Sequence, residues 1–218
     1  MKKPLLMGVL NVTPDSFFDG GKYLSLDKAV KRALQMIKEG ADIIDIGGQS
    51  TGPGSKNVSF DEELKRVLPV LQKLRPRTKV LISVDTWRAK VAQKALECGA
   101  DMINDVTALR GDKKMSSVLA KHGKPVVLMY SKDKTARTSM RNVHYDDVVK
   151  TVKDFLKKQI AVAVRAGIQR KNLILDPGMG AFVSSEAKYS LQILARLKEF
   201  QTGWSVAEAL AIKCPEGY

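Results

Sequence analysis

Three residues in this chain of 218 stand at the ends of short apolar runs: Asp85 after Ile82-Ser83-Val84, Asn104 after Met102-Ile103, and Asp176 after Leu173-Ile174-Leu175. Two carboxylates and an amide converging on one ligand can pair with the donor-rich edge of an aminated heterocycle. A carboxylate accepts two parallel N–H bonds, and an amide offers both a donor and an acceptor. Taken singly, each would serve as well as a helix N-cap or turn residue; the repetition points to a site. Two long polar segments accompany them. Residues 11–21, Asn11-Val12-Thr13-Pro14-Asp15-Ser16-Phe17-Phe18-Asp19-Gly20-Gly21, form a turn-rich stretch longer than a connector needs and read as an active-site loop. In Asp45-Ile46-Gly47-Gly48-Gln49-Ser50-Thr51-Gly52-Pro53-Gly54, small residues let a ligand approach the backbone, and Ser50 and Thr51 bring hydroxyls.

The elements that must position these residues follow from hydrophobic spacing. Runs of strand length occur at 5–10, 43–46, 80–84, 102–106, 126–129 and 173–175. Between them the spacing predicts amphipathic helices, with Val30, Ala33, Leu34 and Ile37 on one face and Leu64, Val67, Leu68 and Leu71 on another. Ser59 and Glu62 make a capping box, Gly40 and Gly99 occupy helix C-cap positions, and Pro69 is expected to kink its helix. Two helix-to-strand junctions nearly repeat: Gly40-Ala41-Asp42-Ile43-Ile44-Asp45 and Gly99-Ala100-Asp101-Met102-Ile103-Asn104. Strict strand and helix alternation calls for a parallel sheet, because parallel neighbours need crossovers. No G-x-G-x-x-G follows the first strand, which argues against a dinucleotide-binding sheet. Polar residues at the carboxyl ends of five of the six strands favour a TIM-type (β/α)8 barrel in which about six β/α units are present.

Composition narrows the partners. The length fits a single domain over residues 1–218. Apolar runs such as 125–130 are far too short to span a bilayer, and the N-terminus lacks the apolar region of a signal peptide, so a cytoplasmic protein with no membrane partner is expected. Cys98 and Cys214 suit neither a disulfide framework nor a metal site, and His122 and His144 have no second ligand nearby in sequence. The net charge of +14 favours anionic partners. Its lysines and arginines are spread over helices without an aromatic stripe, which reads as a solvated surface and against nucleic acid.

With these motifs in order, the chain resembles dihydropteroate synthase, a folate-pathway enzyme with a (β/α)8 barrel. The resemblance is carried by Asn11-Val12-Thr13-Pro14-Asp15-Ser16-Phe17, Asp45-Ile46-Gly47-Gly48, Ser50-Thr51, Pro53-Gly54, Ser83-Val84-Asp85-Thr86, Ile103-Asn104-Asp105 and Leu175-Asp176-Pro177-Gly178. It implies condensation of (7,8-dihydropterin-6-yl)methyl diphosphate with 4-aminobenzoate, giving dihydropteroate and diphosphate. It implies that Asp85, Asn104 and Asp176 hold the pterin, that Thr51 belongs to the substrate-binding loop, and that Asn11 coordinates Mg2+ on the diphosphate. By the same resemblance, the first loop with Asp15, Phe17 and Asp19 closes over a pterin cation and shapes the aminobenzoate site, and the assembly is a homodimer.

The sequence also departs from the family. Gln49 and Gly52 stand where Glu and Arg are usual, so a charge pair is absent, and Met129-Tyr130-Ser131 replaces Met-His-Met. Residues 201–218 contain neither the Ser-Arg-Lys of a seventh strand nor the Arg-x-His that follows an eighth, and 205–212 reads more like helix than strand. The expectation is therefore a C-terminally short, truncated or frame-shifted synthase, with two unpaired sheet edges. The alternatives are a non-catalytic pterin-binding protein, a pterin-dependent methyltransferase domain, and a basic nucleic-acid-binding protein.

Overall fold

The structure is a computed structural model that describes residues 4–13, 26–55 and 57–200, together with the backbone of 22–25 and 209–210. Six β/α units succeed one another: β1 (Leu5–Asn11), α1 (Lys22–Lys38), β2 (Ile43–Gly47), α2 (Phe60–Leu74), β3 (Leu81–Asp85), α3 (Ala89–Glu97), β4 (Met102–Asp105), α4 (Met115–His122), β5 (Val126–Met129), α5 (Val148–Arg165), β6 (Leu173–Asp176) and α6 (Ala187–Ala195). A two-residue β7 (Ala209–Leu210) completes one sheet in the order β6-β5-β4-β3-β2-β1-β7, and every pairing is parallel. Where helix was expected over 205–212, Ala209 and Leu210 instead pair with Leu5 and Leu6. They cover part of the β1 edge, whose backbone N–H and C=O groups would otherwise lack partners.

Alternation along the strands builds two cores. The outward side chains Leu10, Ile44, Ile46, Ile82, Val84, Ile103, Val126 and Leu128 pack against the helices in one large cluster. Each such buried aliphatic contributes roughly 1.5 to 3 kcal/mol relative to exposure. Inward-facing Met7, Ile43, Met102, Val127 and Ile174 form a separate cluster drawn from five strands, as in the interior of a curled, partial barrel.

The repeated junction is one physical device used twice. Ala41 N–H donates to Met36 O (2.9 Å) and Gly40 N–H to Ile37 O (3.0 Å), while Ala100 N–H donates to Ala95 O (3.0 Å) and Gly99 N–H to Leu96 O (3.2 Å). This Schellman pattern requires a left-handed residue, supplied by Gly40 (φ +109°) and Gly99 (φ +97°). The following aspartate then ties the start of the preceding strand. Asp42 Oδ2 accepts from Leu6 N–H, and Asp101 Oδ2 accepts from Ile82 N–H, both at 2.9 Å.

Helix α2 differs from expectation in two details. Ser59 Oγ accepts from Glu62 N–H (3.2 Å), but the Glu62 carboxylate turns to Arg66 Nε (2.9 Å), so the return half of the capping box is replaced by an ion pair. Its buried face is Glu63, Val67, Val70, Leu71 and Leu74, rotated from the expected face so that Leu64 and Leu68 are only partly buried. The rotation places the Glu63 carboxylate where Arg88 and Thr86 can satisfy it. The helix runs unbroken through Pro69.

Candidate active site

Register decides which strand ends meet. Asn11 pairs with Gly47, Gly47 with Asp85, and Asp85 with Asn104, so these residues form one lateral row at the carboxyl ends of β1 to β4. Asp176 pairs with Met129, two positions beyond the continuation of that row at Val127 and Ile174. All of them belong to the inward-facing set, so the sheet gathers Asn11, Asp85, Asn104 and Asp176 at one mouth. Thr51 lies buried in the loop after β2, where its carbonyl accepts from Thr138 N–H (3.0 Å) in the loop after β5. Asp15, Phe17 and Asp19 lie outside the described residues.

Gly47, which ends β2, and Gly48, which follows it, do different work. A Cβ on Gly47 would sit 3.3 Å from Asn11 Oδ1 and 3.7 Å from Asp85 Cβ, so its bareness lets those side chains draw together across the mouth. A Cβ on Gly48 would meet Val67 Cγ2 at 2.8 Å and the Glu63 backbone oxygen at 3.2 Å, so that glycine serves the packing of α2.

Asn104 is held by a residue that strand-end spacing did not single out. Its Nδ2 donates to Asp45 Oδ2 (3.0 Å), and Asp45 is 2% exposed inside the barrel. This orientation leaves the buried Asn104 Oδ1 without a hydrogen-bond partner, as is Ser83 Oγ in the neighbouring strand. Buried acceptors normally find donors, and the donor here would come from a ligand N–H. The signal was in the sequence: Asp45 and Asn104 are the sixth residues of the two repeated junction segments.

Asp176 Oδ1 accepts from Gly178 N–H (2.7 Å), which turns the chain sharply after β6. Tyr130, which follows the inward-facing Met129, points away from the mouth. Its ring packs at 5.1 Å against Phe155 in the cluster between sheet, α5 and α6, and its hydroxyl lies 3.1 Å from Tyr145 Oη. Burial and the Tyr130 hydroxyl push the Tyr145 phenol well above its ordinary value, and its O–H donates to Val183 O (2.7 Å). Met129 does face the mouth, where it joins Val106, Ala136, Trp87 and Phe182 in an apolar patch.

Sequence reasoning missed the network that fixes the loops around the mouth. Arg88 is ion-paired with the buried Glu63, donates to Gln49 Oε1 (3.1 Å) and to Val58 O, and so grips both ends of the loop after β2. Thr86, next to Asp85, donates to the other Glu63 oxygen (2.6 Å). After β4, the fully buried Asp105 accepts from Thr107 N–H, Thr107 Oγ1 and Leu109 N–H, and thereby holds Ala108 (φ +50°) and Leu109 (φ +68°) in left-handed conformations. Burial raises the Asp105 carboxyl pKa despite those three bonds. After β5, Lys132 donates to Thr138 Oγ1 (3.0 Å), Ser139 O (2.7 Å) and Ala181 O, which joins this loop to the one after β6. The Arg88, Glu63 and Lys132–Ala181 partners are 23 to 49 positions apart, so spacing alone carries no trace of them.

Among the described residues, no group of three or more His, Cys, Asp or Glu side chains could hold a metal ion, and no helix is long and apolar enough to cross a membrane.

The chain is similar to known proteins in sequence and fold. A model of the pterin binding enzyme family matches residues 7–211. The chain is 50% identical over 179 residues to a dihydropteroate synthase of Bacillus subtilis, an alignment covering 82% of this chain and 60% of the relative. Two solved structures of the Xanthomonas albilineans dihydropteroate synthase are similar. One, holding 4-aminobenzoic acid, has a TM-score of 0.85 and 42% identity; the other, in complex with 7,8-dihydropteroate, has a TM-score of 0.79 and 40% identity. Each alignment covers 94% of this chain and 71% of that one. The chain thus spans about 60% of the length of the Bacillus synthase.

Proposed function

The chain belongs to the pterin-binding enzyme family, and from that premise we propose that it is a dihydropteroate synthase chain whose mouth binds a dihydropterin. The proposed reaction is the family's, in which (7,8-dihydropterin-6-yl)methyl diphosphate and 4-aminobenzoate give dihydropteroate and diphosphate. The observation that carries this reading is the register row Asn11, Gly47, Asp85, Asn104 with an unsatisfied, Asp45-oriented amide oxygen in it. A pterin presents ring N–H and amino donors, and this row, with Asp176 above it, presents acceptors.

In the proposed mechanism the C–O bond to the diphosphate breaks, and the leaving group departs with the electron pair. The pterin-stabilised methylene cation is then attacked by the amine nitrogen of 4-aminobenzoate, which loses a proton. Asp85 and Asp176 orient the ring through its N–H groups and stabilise the positive charge left on it. Thr51 contributes to the substrate loop. Asp15, Phe17 and Asp19 would close the site over the cation.

Asn11 fits a magnesium ion. Its amide oxygen is a hard donor beside the bare Gly47, and Mg2+ takes only one or two protein oxygens when phosphates and water complete its shell. When bound, Mg2+ would neutralise charge on the diphosphate. A homodimeric assembly and a cytoplasmic setting belong to the same reading.

Calorimetric titration with the pterin diphosphate and Mg2+, followed by turnover with 4-aminobenzoate, tests it. Asp85→Asn is expected to cost about 2 to 3 kcal/mol of binding, roughly 30- to 150-fold in affinity. Unchanged affinity in that variant would refute the site. Pterin binding without turnover would favour a non-catalytic pterin-binding protein, a reading to which the glycine at position 52 lends some weight.

A further inference from the structure

Asp45 and Asn104 stand at different levels of the barrel interior. Asp45 pairs in register with Ser83, one inward step below the row of Asp85 and Asn104, and is 2% exposed. From there its Oδ2 accepts from Asn104 Nδ2 at 3.0 Å. A carboxylate oxygen can only accept, whereas a carboxamide can turn over and present either end. Asp45 therefore draws the amide nitrogen down and leaves the oxygen for the mouth. The hydroxyl of Ser83, buried at the level of Asp45, does not take that oxygen, since Ser83 Oγ and Asn104 Oδ1 both lack hydrogen-bond partners.

The orientation matters because of what the two oxidation states of a pterin present. In a 7,8-dihydropterin the two ring nitrogens that flank the shared ring carbon form a mixed edge: the pyrimidine nitrogen accepts, and the pyrazine nitrogen carries a hydrogen. In the fully oxidised pterin that hydrogen is gone, and both nitrogens are acceptors. The carboxylates of Asp85 and Asp176 suit the amino group and the remaining ring N–H. The Asn104 amide, with an acceptor oxygen and a second Nδ2 hydrogen besides the one given to Asp45, matches the mixed edge.

We propose that Asp45 is a positioning residue that sets specificity: through the fixed Asn104 amide it makes the mouth select a 7,8-dihydropterin over the oxidised pterin. The proposal rests on the reading of the mouth as a pterin site and names the oxidation state which that site takes. Against an oxidised ring the Asn104 oxygen opposes a nitrogen lone pair, which leaves two desolvated acceptors unpaired. Turning the amide over does not relieve this, because it aims Asn104 Oδ1 at Asp45 Oδ2 instead.

Anaerobic titration calorimetry of the full chain with 6-hydroxymethyl-7,8-dihydropterin and with 6-hydroxymethylpterin tests the proposal. The reduced ligand should bind about thirtyfold more tightly. In Asp45→Asn the group beneath the amide can give or accept a hydrogen, so the two amides can turn over together, and the ratio should fall to about threefold or less. A purely structural role would weaken both ligands alike and leave the ratio unchanged. Exchanging the pair, as Asp45→Asn with Asn104→Asp, again aims an oxygen that can only accept at the ligand, so the preference should return. The exchanged pair also carries the test where the single variant does not fold. The proposal is overturned by equal affinities in the wild-type chain, by an undiminished ratio in Asp45→Asn, or by an exchanged pair that binds both ligands alike. Binding of neither ligand to the wild-type chain would overturn the pterin reading, and the proposal with it.

Discussion

Gly178 is where the backbone leaves least room. Its φ is +69°, and a Cβ there would stand 2.4 Å from Tyr130 O, whereas Gly54, at φ +77°, has nothing within 4 Å of the same point. The pair separates conformational strain from collision. Gly54→Ala should cost roughly 1 kcal/mol of stability and Gly178→Ala roughly 3 kcal/mol, measured by urea unfolding; equal losses would mean that Tyr130 yields to the added methyl. At this scale much was legible in the sequence. Asp85, Asn104 and Asp176 stood out because each ends an apolar run, and alternation from Val127 and Met129 implies that Tyr130 faces the helices. Asp45 was missed because it lies one turn of the alternation below the mouth, where a buried polar residue looks like any other residue of a motif. Only the register, which spacing does not encode, brings it beneath Asn104.

Among the elements, the two junction aspartates offer an internal comparison. Among the described residues the Asp42 carboxylate accepts from Leu6 N–H, while Asp101 accepts from Ile82 N–H and from Arg75 Nη1 at 2.7 Å. Asp42→Ala should therefore cost about 1 kcal/mol and Asp101→Ala about 2 to 3 kcal/mol, because the second also removes the carboxylate partner of a half-buried guanidinium. Denaturant midpoints of the two variants check the order; a larger loss for Asp42→Ala would break the explanation. The strands and the glycine caps were readable because they depend on neighbours in sequence. The buried face of α2 was not. Glu63 looks like a solvent residue until Arg88, 25 positions away, arrives to pair with it.

For the whole molecule, a net charge of +14 opposes compaction through self-repulsion. Raising sodium chloride from about 20 to about 200 mM shortens the screening length to below roughly 10 Å. It should lift the thermal midpoint by roughly 2 to 4 °C, the equivalent of about 1 kcal/mol in a chain of this size. A midpoint that falls instead would show that ion pairs such as Arg75–Asp101 outweigh the repulsion. The sense of the sheet could be read from strand and helix alternation and its curl expected from the polar strand ends, but which inward side chains meet across strands could not, since that depends on register. The Schellman turns and their aspartates occupy the amino ends of the strands, and Gln49, Gly52 and the loop after Met129 occupy the carboxyl ends. Folding information and ligand information are therefore written at opposite poles of the same strands. A lineage can rewrite one pole, exchanging charged residues for glutamine or glycine, while the other goes on specifying the scaffold, which leaves this architecture open to evolutionary change.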